Sequence, residues 1–447
     1  MSTAALDLND AALTLAANGR VLASEPGLAA PPGSFGASVW HTTALVSSRH
    51  WRDLDDAPLP CALGPWRSHA DIVQAQLAGF AAALPPGCEA LVAAVPSYWS
   101  ERQLGLFLGL ARDAGLPLRG LLDRATAAAR RPAPGRELWQ LELTLRDAAL
   151  VRILQQDGVA GRGAVERFDW LSLQALERAC IDAVADAFLR SSRFDPRHDA
   201  PSERELRRSL PGWLEALHVR ERLSCAIEYR GGRFHAELDA GSLRAALALP
   251  VERLVQRLRP LALAAGAVLQ VPEQLAAFPG MLAALRALPG WEIVTLEPGA
   301  AALGALRLPP AAAGAPLALV TRLPWDGPAL EPQAGPVAKL PHPTHLCFGD
   351  KAFRLDGGGF CIGSELAAGE YGLRLAASLR GLSRRHCSLV VEDGQLLLHD
   401  HSRYGTRLNG VKVEGAAVLR PGDRIQLGEP AVELRLVMEE GRDGAAP

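Results

Sequence analysis

Lysine is nearly absent from this 447-residue chain: it occurs at Lys339, Lys351 and Lys412, and arginine carries the remaining positive charge. Aromatic residues are scarce too, at 5%, although 49% of the residues are hydrophobic. The core must therefore be built mainly from Ala, Leu and Val, in a chain too apolar to stay disordered and long enough for two or three domains. Such residue usage is the mark of a GC-rich genome and carries no functional meaning by itself. No charge sign dominates, since the formal net charge is −2. No global field then draws the protein to nucleic acid or anionic lipid, and neither is expected as a partner. Long apolar runs are missing: Leu261 to Val271 falls well short of the roughly 18 residues needed to span a bilayer. The opening MSTAALDLND lacks the basic and apolar regions of a signal peptide. Seven cysteines (Cys61, Cys88, Cys180, Cys225, Cys347, Cys361, Cys387) show no CxxC spacing and no Cys/His cluster. Reduced thiols in a cytoplasmic protein without a metal site are the expectation.

Proline, alanine and glycine crowd together from Pro309 to Pro343, where repeated prolines block helix and central strand. The spacing predicts a linker over 309–342, with a short strand at Leu317 to Thr321. Upstream, 1–308 alternates helices and strands. Helical stripes run through Val73, Leu77, Phe80 and Leu84, then Leu104, Phe107, Leu108 and Ala111. Others run from Leu173 to Phe188 and from Val251 to Leu261. Predicted strands cover Ala4–Leu8, Ala12–Ala16, Ala90–Val95, Trp139–Leu143, Ala149–Gln155, Ala226–Tyr229, Arg233–Leu238, Ala267–Val271 and Glu292–Thr295. This is an α/β domain with mixed sheets. Downstream, 343–440 reads as short strands only, and 441–447 as a disordered tail.

Four signals follow one another in the C-terminal part: FCIGSE (360–365), LSRRHCSLVV (382–391), LLLHDHSRYGTRLNG (396–410) and LRPGDRIQLG (419–428). Strands with period-two alternation (Leu396, Leu398, Asp400 against Leu397, His399) are separated by turns at Gly394, Gly405, Gly410 and Gly422. A two-sheet sandwich with its loops at one end is implied. These motifs resemble the forkhead-associated (FHA) family, whose loops grip a phosphothreonine peptide. The resemblance implies that Ser383 and Arg384 hold phosphate by charge-assisted hydrogen bonds. It makes Ser364, Arg403 and Tyr404 the other peptide-facing residues. Gly363, His386, Gly405 and Asn409 then brace the loops, and Asp423 closes a turn. Two positions depart from the family. Ser364 stands where an Arg usually contacts phosphate, and Tyr404 where Asn often precedes Gly405. Arg380, Arg385 or Arg403 could replace the lost guanidinium; alternatively, these arginines are a solvated face and the module takes an unphosphorylated protein.

The N-terminal part resembles the actin-like ATPase domain of DnaK-type heat-shock chaperones, a duplicated ribonuclease H-like α/β fold. The likeness rests on ALDLNDAALTL (5–15), on Val95, Pro96, Tyr98, Ala114, Gly115, Leu116 and Thr126 to Ala129 within 92–129, and on AALGAL (301–306). In that family two glycine-rich hairpins clasp ATP phosphates with backbone N–H groups. Here the first hairpin reads Asp7-Leu8-Asn9-Asp10-Ala11 and the second Glu142-Leu143-Thr144-Leu145-Arg146-Asp147. The glycines are gone, and Pro272 interrupts the adenosine segment. Asp7 and Glu142 remain as a residual nucleotide site that could hold Mg²⁺. The expectation is a pseudo-ATPase with no catalytic residues and no cofactor, ATP/Mg being the alternative. Ser47-Ser48-Arg49-His50 lacks a third member for a triad. Gly357-Gly358-Gly359 is a turn rather than a phosphate loop, since no helix follows, and Arg130-Arg131 is too short a basic run to hold nucleic acid. The whole reads as a cytoplasmic adaptor with a protein partner. The alternatives are an active ATP-dependent chaperone-like switch targeted by the FHA module, or a filament subunit.

Overall fold

A computed structural model describes residues 2–41, 46–262, 266–331, 343–349, 351–355, 359–367, 369–392, 395–413, 415–419 and 422–437. Outside them lie 332–342 of the expected linker, the expected tail 441–447, and the expected turn residues Gly357, Gly358 and Gly394. The chain divides into two units, Met1–Pro332 and Gln333–Pro447.

In the first unit, antiparallel β1 (Ser2–Asp7), β2 (Leu13–Ala17) and β3 (Arg20–Glu25) are joined by β4 (Cys88–Val95) and β5 (Leu118–Asp123). β4 runs parallel to β1, and β5 parallel to β4, giving the order β3-β2-β1-β4-β5. A second sheet repeats the plan with β6 (Glu137–Leu143), β7 (Ala148–Gln156), β8 (Val159–Phe168), β9 (Ala267–Val271) and β10 (Trp291–Thr295). Its order is β8-β7-β6-β9-β10, again with three antiparallel strands followed by two parallel ones. Helices His69–Ala83 and Glu101–Asp113 cover one face of the first sheet, each opened by a serine capping box at Ser68 and Ser100. Helix Leu173–Ser192 covers the second sheet, and helix Ala200–Val219 packs against the hairpin Arg222–Tyr229/Gly232–Asp239.

The alanine-rich composition finds its use between the sheets. Helix Arg124–Ala128 lies against helix Ala300–Ala305, with Ala127, Ala128, Ala300, Ala301 and Ala305 buried. At Gly304 a Cβ would collide with the carbonyl oxygen of Ala127, so only glycine allows this approach.

The expected linker is corrected over its first part. Residues 309–332 belong to the first unit, where Leu319–Val320 pairs with β5 and Arg322–Pro324 with β8. Both are edge positions, where Pro324 and its missing donor are tolerated.

The second unit is a sandwich. One sheet orders Lys351–Arg354, His345–Phe348, Val432–Val437, Arg424–Leu427, Arg407–Leu408 and Val411–Lys412. The other orders Gly372–Arg374, Phe360–Gly363, Cys387–Glu392, Gln395–Asp400 and Ala416–Leu419. Leu346, Phe360, Ile362, Leu389, Leu398, Ile425 and Leu434 fill the space between them. Among the described residues no helix is long and apolar enough to cross a membrane.

Candidate functional site

The loops at one end of the sandwich are stacked by backbone hydrogen bonds. The Ser364 and Glu365 amides donate to the Ser383 and Arg384 carbonyls at 3.1 and 3.0 Å. Gly363 makes this possible, because a Cβ there would collide with the Arg384 carbonyl. His386 is fully buried below them. Its amide donates to the Ile362 carbonyl, its carbonyl accepts from His401, and its ring Nδ1 accepts the Ser383 amide at 3.1 Å. Burial lowers the imidazole pKa, and the Nδ1 lone pair, by accepting the Ser383 amide, fixes the Ser383 turn.

The third loop docks onto the second. The Arg403 amide donates to Ser383 Oγ at 3.2 Å. With one lone pair engaged, the Ser383 hydroxyl is left with its own proton to donate outward. The Arg384 and Arg403 side chains are exposed; the nearest acid to Arg384 is Glu365 at 3.8 Å, and Arg403 lies 6.0 Å over the exposed Tyr404 ring. Arg385 reaches towards Glu370 at 3.8 Å. Ser383, Ser364, Arg384, Arg403 and Tyr404 thus lie on adjoining loops. Gly405 has φ +96° and donates to Ser402 Oγ at 2.7 Å. Asn409 binds with both ends of its amide: Nδ2 donates to Asp423 at 2.8 Å and Oδ1 accepts the Arg424 amide at 3.0 Å. Asp423 therefore joins two loops, where the sequence suggested only that it closes its own turn.

Sequence reasoning missed Asp400, which organises the third loop. Its carboxylate accepts the Ser402 amide at 3.0 Å, the Thr406 amide at 3.1 Å and the Thr406 hydroxyl at 2.9 Å. Burial pushes the carboxyl up, but these hydrogen bonds outweigh it and hold the pKa below its usual value. The alternation placed it in register with Leu396 and Leu398 but gave no sign that its carboxylate serves the loop beyond.

A β-sandwich with a serine hydroxyl and exposed guanidiniums on converging loops belongs to the class of peptide-recognition modules. The FHA-domain family model matches residues 362–428, and the second unit carries an FHA domain. FHA domains are phosphoprotein-binding interaction modules, so this chain has one. No curated protein matches the chain.

The second candidate site lies between the two sheets of the first unit, where Asp7 ends β1 and Glu142 stands one residue before the end of β6. Both carboxylates are buried, at 3% and 1% exposure, and Arg124 lies between them. Its Nε donates to the two Asp7 oxygens at 2.9 and 3.3 Å, and its Nη1 is 3.6 Å from Glu142. The Ser97 hydroxyl also donates to Glu142, at 3.2 Å. The turns beyond are stitched together: Asn9 Nδ2 donates to the Leu143 carbonyl at 3.0 Å, and Asp10 accepts the Leu145 amide at 2.7 Å. Burial pushes the Asp10 and Glu142 carboxyls up to about 7 and also raises Asp7; Arg124 opposes the rise at Asp7 and Glu142.

A nucleotide and Mg²⁺, which the chaperone resemblance implies, do not fit these residues. Phosphates need free backbone N–H groups with open space before them. The turn amides here face neighbouring side chains: Leu145 N serves Asp10, and Asn9 N serves Asp7 at 3.2 Å. A cavity of about 30 Å³ remains beside the site, lined in part by Asp7, Thr14, Arg124, Glu273 and Glu297. Its charged lining is Asp7, Glu273 and Glu297 against Arg124 alone, a poor lining for a triphosphate. Among the described residues no group of three or more His, Cys, Asp or Glu is placed to hold a metal ion.

Proposed function

We propose that the protein is a cytoplasmic adaptor. Its FHA domain binds a phosphothreonine-containing segment of a partner protein, and its first unit is an actin-like body that has lost nucleotide binding. The observation that carries the peptide reading is the Ser383 hydroxyl, which accepts the Arg403 amide at 3.2 Å and so offers its proton outward beside the exposed Arg384 and Arg403. A phosphate dianion takes up several charge-assisted hydrogen bonds, and a serine hydroxyl with two exposed guanidiniums, that of Arg384 shared with Glu365 at 3.8 Å, supplies them. Ser364 sits where the FHA family often has arginine. Arg403, whose amide is tied to Ser383 Oγ, is the replacement this reading favours.

The repeated strand order of the two sheets supports the actin-like reading of the first unit, because each sheet has the three-antiparallel, two-parallel plan of a ribonuclease H-like half. The stitched turns and the Arg124 bridge argue against the alternative of an ATP-driven switch.

The test is fluorescence anisotropy of the full chain against a phosphothreonine peptide library and its unphosphorylated counterpart. Phosphorylated peptides should be preferred, and Ser383→Ala, Arg384→Ala and Arg403→Ala should each weaken binding by about tenfold or more, as expected for loss of a charged hydrogen bond. Equal binding of both libraries by the wild type would rule out phosphate reading. Calorimetry with Mg-ATP addresses the other half: a micromolar dissociation constant lost on Asp7→Ala would restore the ATP switch.

A further inference from the structure

Phosphopeptide binding gives no role to the buried ion cluster between the two sheets. Asp7 and Glu142 hold equivalent places in the repeated topology, each near the C-terminal end of the first strand of its sheet. Two carboxylates this deeply buried cannot both stay ionised without a cation between them. The cation present is covalently part of the chain. Arg124 leads the helix Arg124–Ala128, which follows directly from β5, and its side chain is only 10% exposed. The guanidinium has the right shape to bridge them, since its Nε–H is shared by both oxygens of Asp7 while Nη1 turns to Glu142 at 3.6 Å.

We propose that Arg124 is a tethered countercation standing in for a divalent metal ion between Asp7 and Glu142, so that the two halves of the first unit are held together without metal or nucleotide. Three features besides the ion pairs fit this assignment. Asn9 and Asp10 bind across to Leu143 and Leu145. The Leu8 amide is tied back to the Ala94 carbonyl at 2.9 Å, which anchors the first turn to β4. Ser97, just past β4, donates its hydroxyl to Glu142 and so links the first sheet to the second. A hinge motion of the halves would break the Asn9, Asp10 and Ser97 bonds together and leave buried charges unpaired. The first unit is therefore a rigid body with one closed state.

The proposal predicts a gain of metal binding when the guanidinium is removed. The full chain is titrated with MnCl₂ by calorimetry at a pH of about 8, above the value of about 7 to which burial raises Glu142. Wild type and Arg124→Lys should not bind Mn²⁺ measurably, since each keeps a positive charge between the carboxylates. Arg124→Ala should bind at least about tenfold more tightly than wild type, because site charge sets cation affinity over several decades. Arg124→Ala combined with Glu142→Gln should lose that gain. Wild-type binding as tight as that of Arg124→Ala overturns the proposal, as does a folded Arg124→Ala protein that ignores Mn²⁺. Should Arg124→Ala fail to fold, thermal melting of the wild type decides. An unchanged melting temperature in about 10 mM MnCl₂ supports an internal cation, whereas a saturable rise of about 2 °C or more, the mark of a ligand bound to the native state, overturns it. None of these outcomes bears on peptide binding by the second unit.

Discussion

Gly363 shows how strictly single residues set the peptide-binding loops. Its missing side chain lets the Ser383–Arg385 segment lie directly on the strand Phe360–Gly363, with the Arg385 Cα 3.1 Å from where a Cβ would be. An alanine here must push away backbone, which cannot adjust by a change of rotamer. Gly363→Ala is expected to destabilise the second unit by about 2 kcal/mol or more and to abolish phosphopeptide binding. Urea denaturation followed with anisotropy of a bound peptide measures both. Gly363, Ser383, His386 and Asn409 were named from the sequence because each sits in a short motif whose spacing needs no structure. Arg124 was not legible. Its partners Asp7 and Glu142 lie 117 residues before it and 18 after it along the chain, and an arginine leading an alanine-rich segment looks like any solvated charge. In the sequence Asn9 stood only for a missing glycine and Asp10 for a missing hydroxyl; that they bond across to Leu143 and Leu145 depends on the second sheet.

Among the secondary elements, strands with uninterrupted β-branched or leucine-rich runs were visible, and those broken by glycine or charge were not. β8 reads VAGRGAVERF, so Gly161, Arg162 and Gly163 erase the alternation, yet it pairs with β7 along nearly its whole length. β5 reads LRGLLD and is similarly hidden by Arg119 and Gly120. The proline-rich segment after 309 suggested a free tether because proline removes donors; edge strands need only one bonded side, and there two short stretches pair. At the same scale, the contact of helix Ala300–Ala305 on helix Arg124–Ala128 depends on small residues rather than on a stripe of large ones. Gly304→Ala should therefore lower the stability of the first unit by about 2 kcal/mol or more, through overpacking against the Ala127 carbonyl. Phosphopeptide affinity of the second unit should be unchanged. Differential scanning calorimetry with parallel anisotropy would show the effect on one unit alone; a matching loss of peptide binding would count against separate units.

For the molecule as a whole, buried titratable groups set how stability responds to acid, and the two kinds present act in opposite directions. Burial raises Asp10 and Glu142 to about 7, which favours their protonated forms in the fold; what they contribute is present below their ordinary range and is lost as pH rises through 7. His50 works the other way. It is fully buried, with Nε2 3.1 Å from Gln76 Oε1 and Nδ1 3.0 Å from the Ser47 hydroxyl. Trp51 Nε1 donates to the same Gln76 oxygen at 2.8 Å, which makes that oxygen an acceptor and places the imidazole proton on Nε2. Burial lowers the His50 pKa from 6.5 to about 4. The unfolded chain then binds a proton before the folded one does, so stability is full above 6.5 and falls as pH drops towards 4. Comparing wild type with His50→Gln separates this effect from that of the carboxyls, which both proteins share. Between about pH 7 and pH 5 the wild type should lose about 2 kcal/mol more than the variant, at about 1.4 kcal/mol per pH unit below the unfolded value. Chemical denaturation at the two pH values reads the difference directly. Equal losses in the two proteins would mean that His50 takes up its proton without leaving the fold, and would remove it as the source of acid sensitivity.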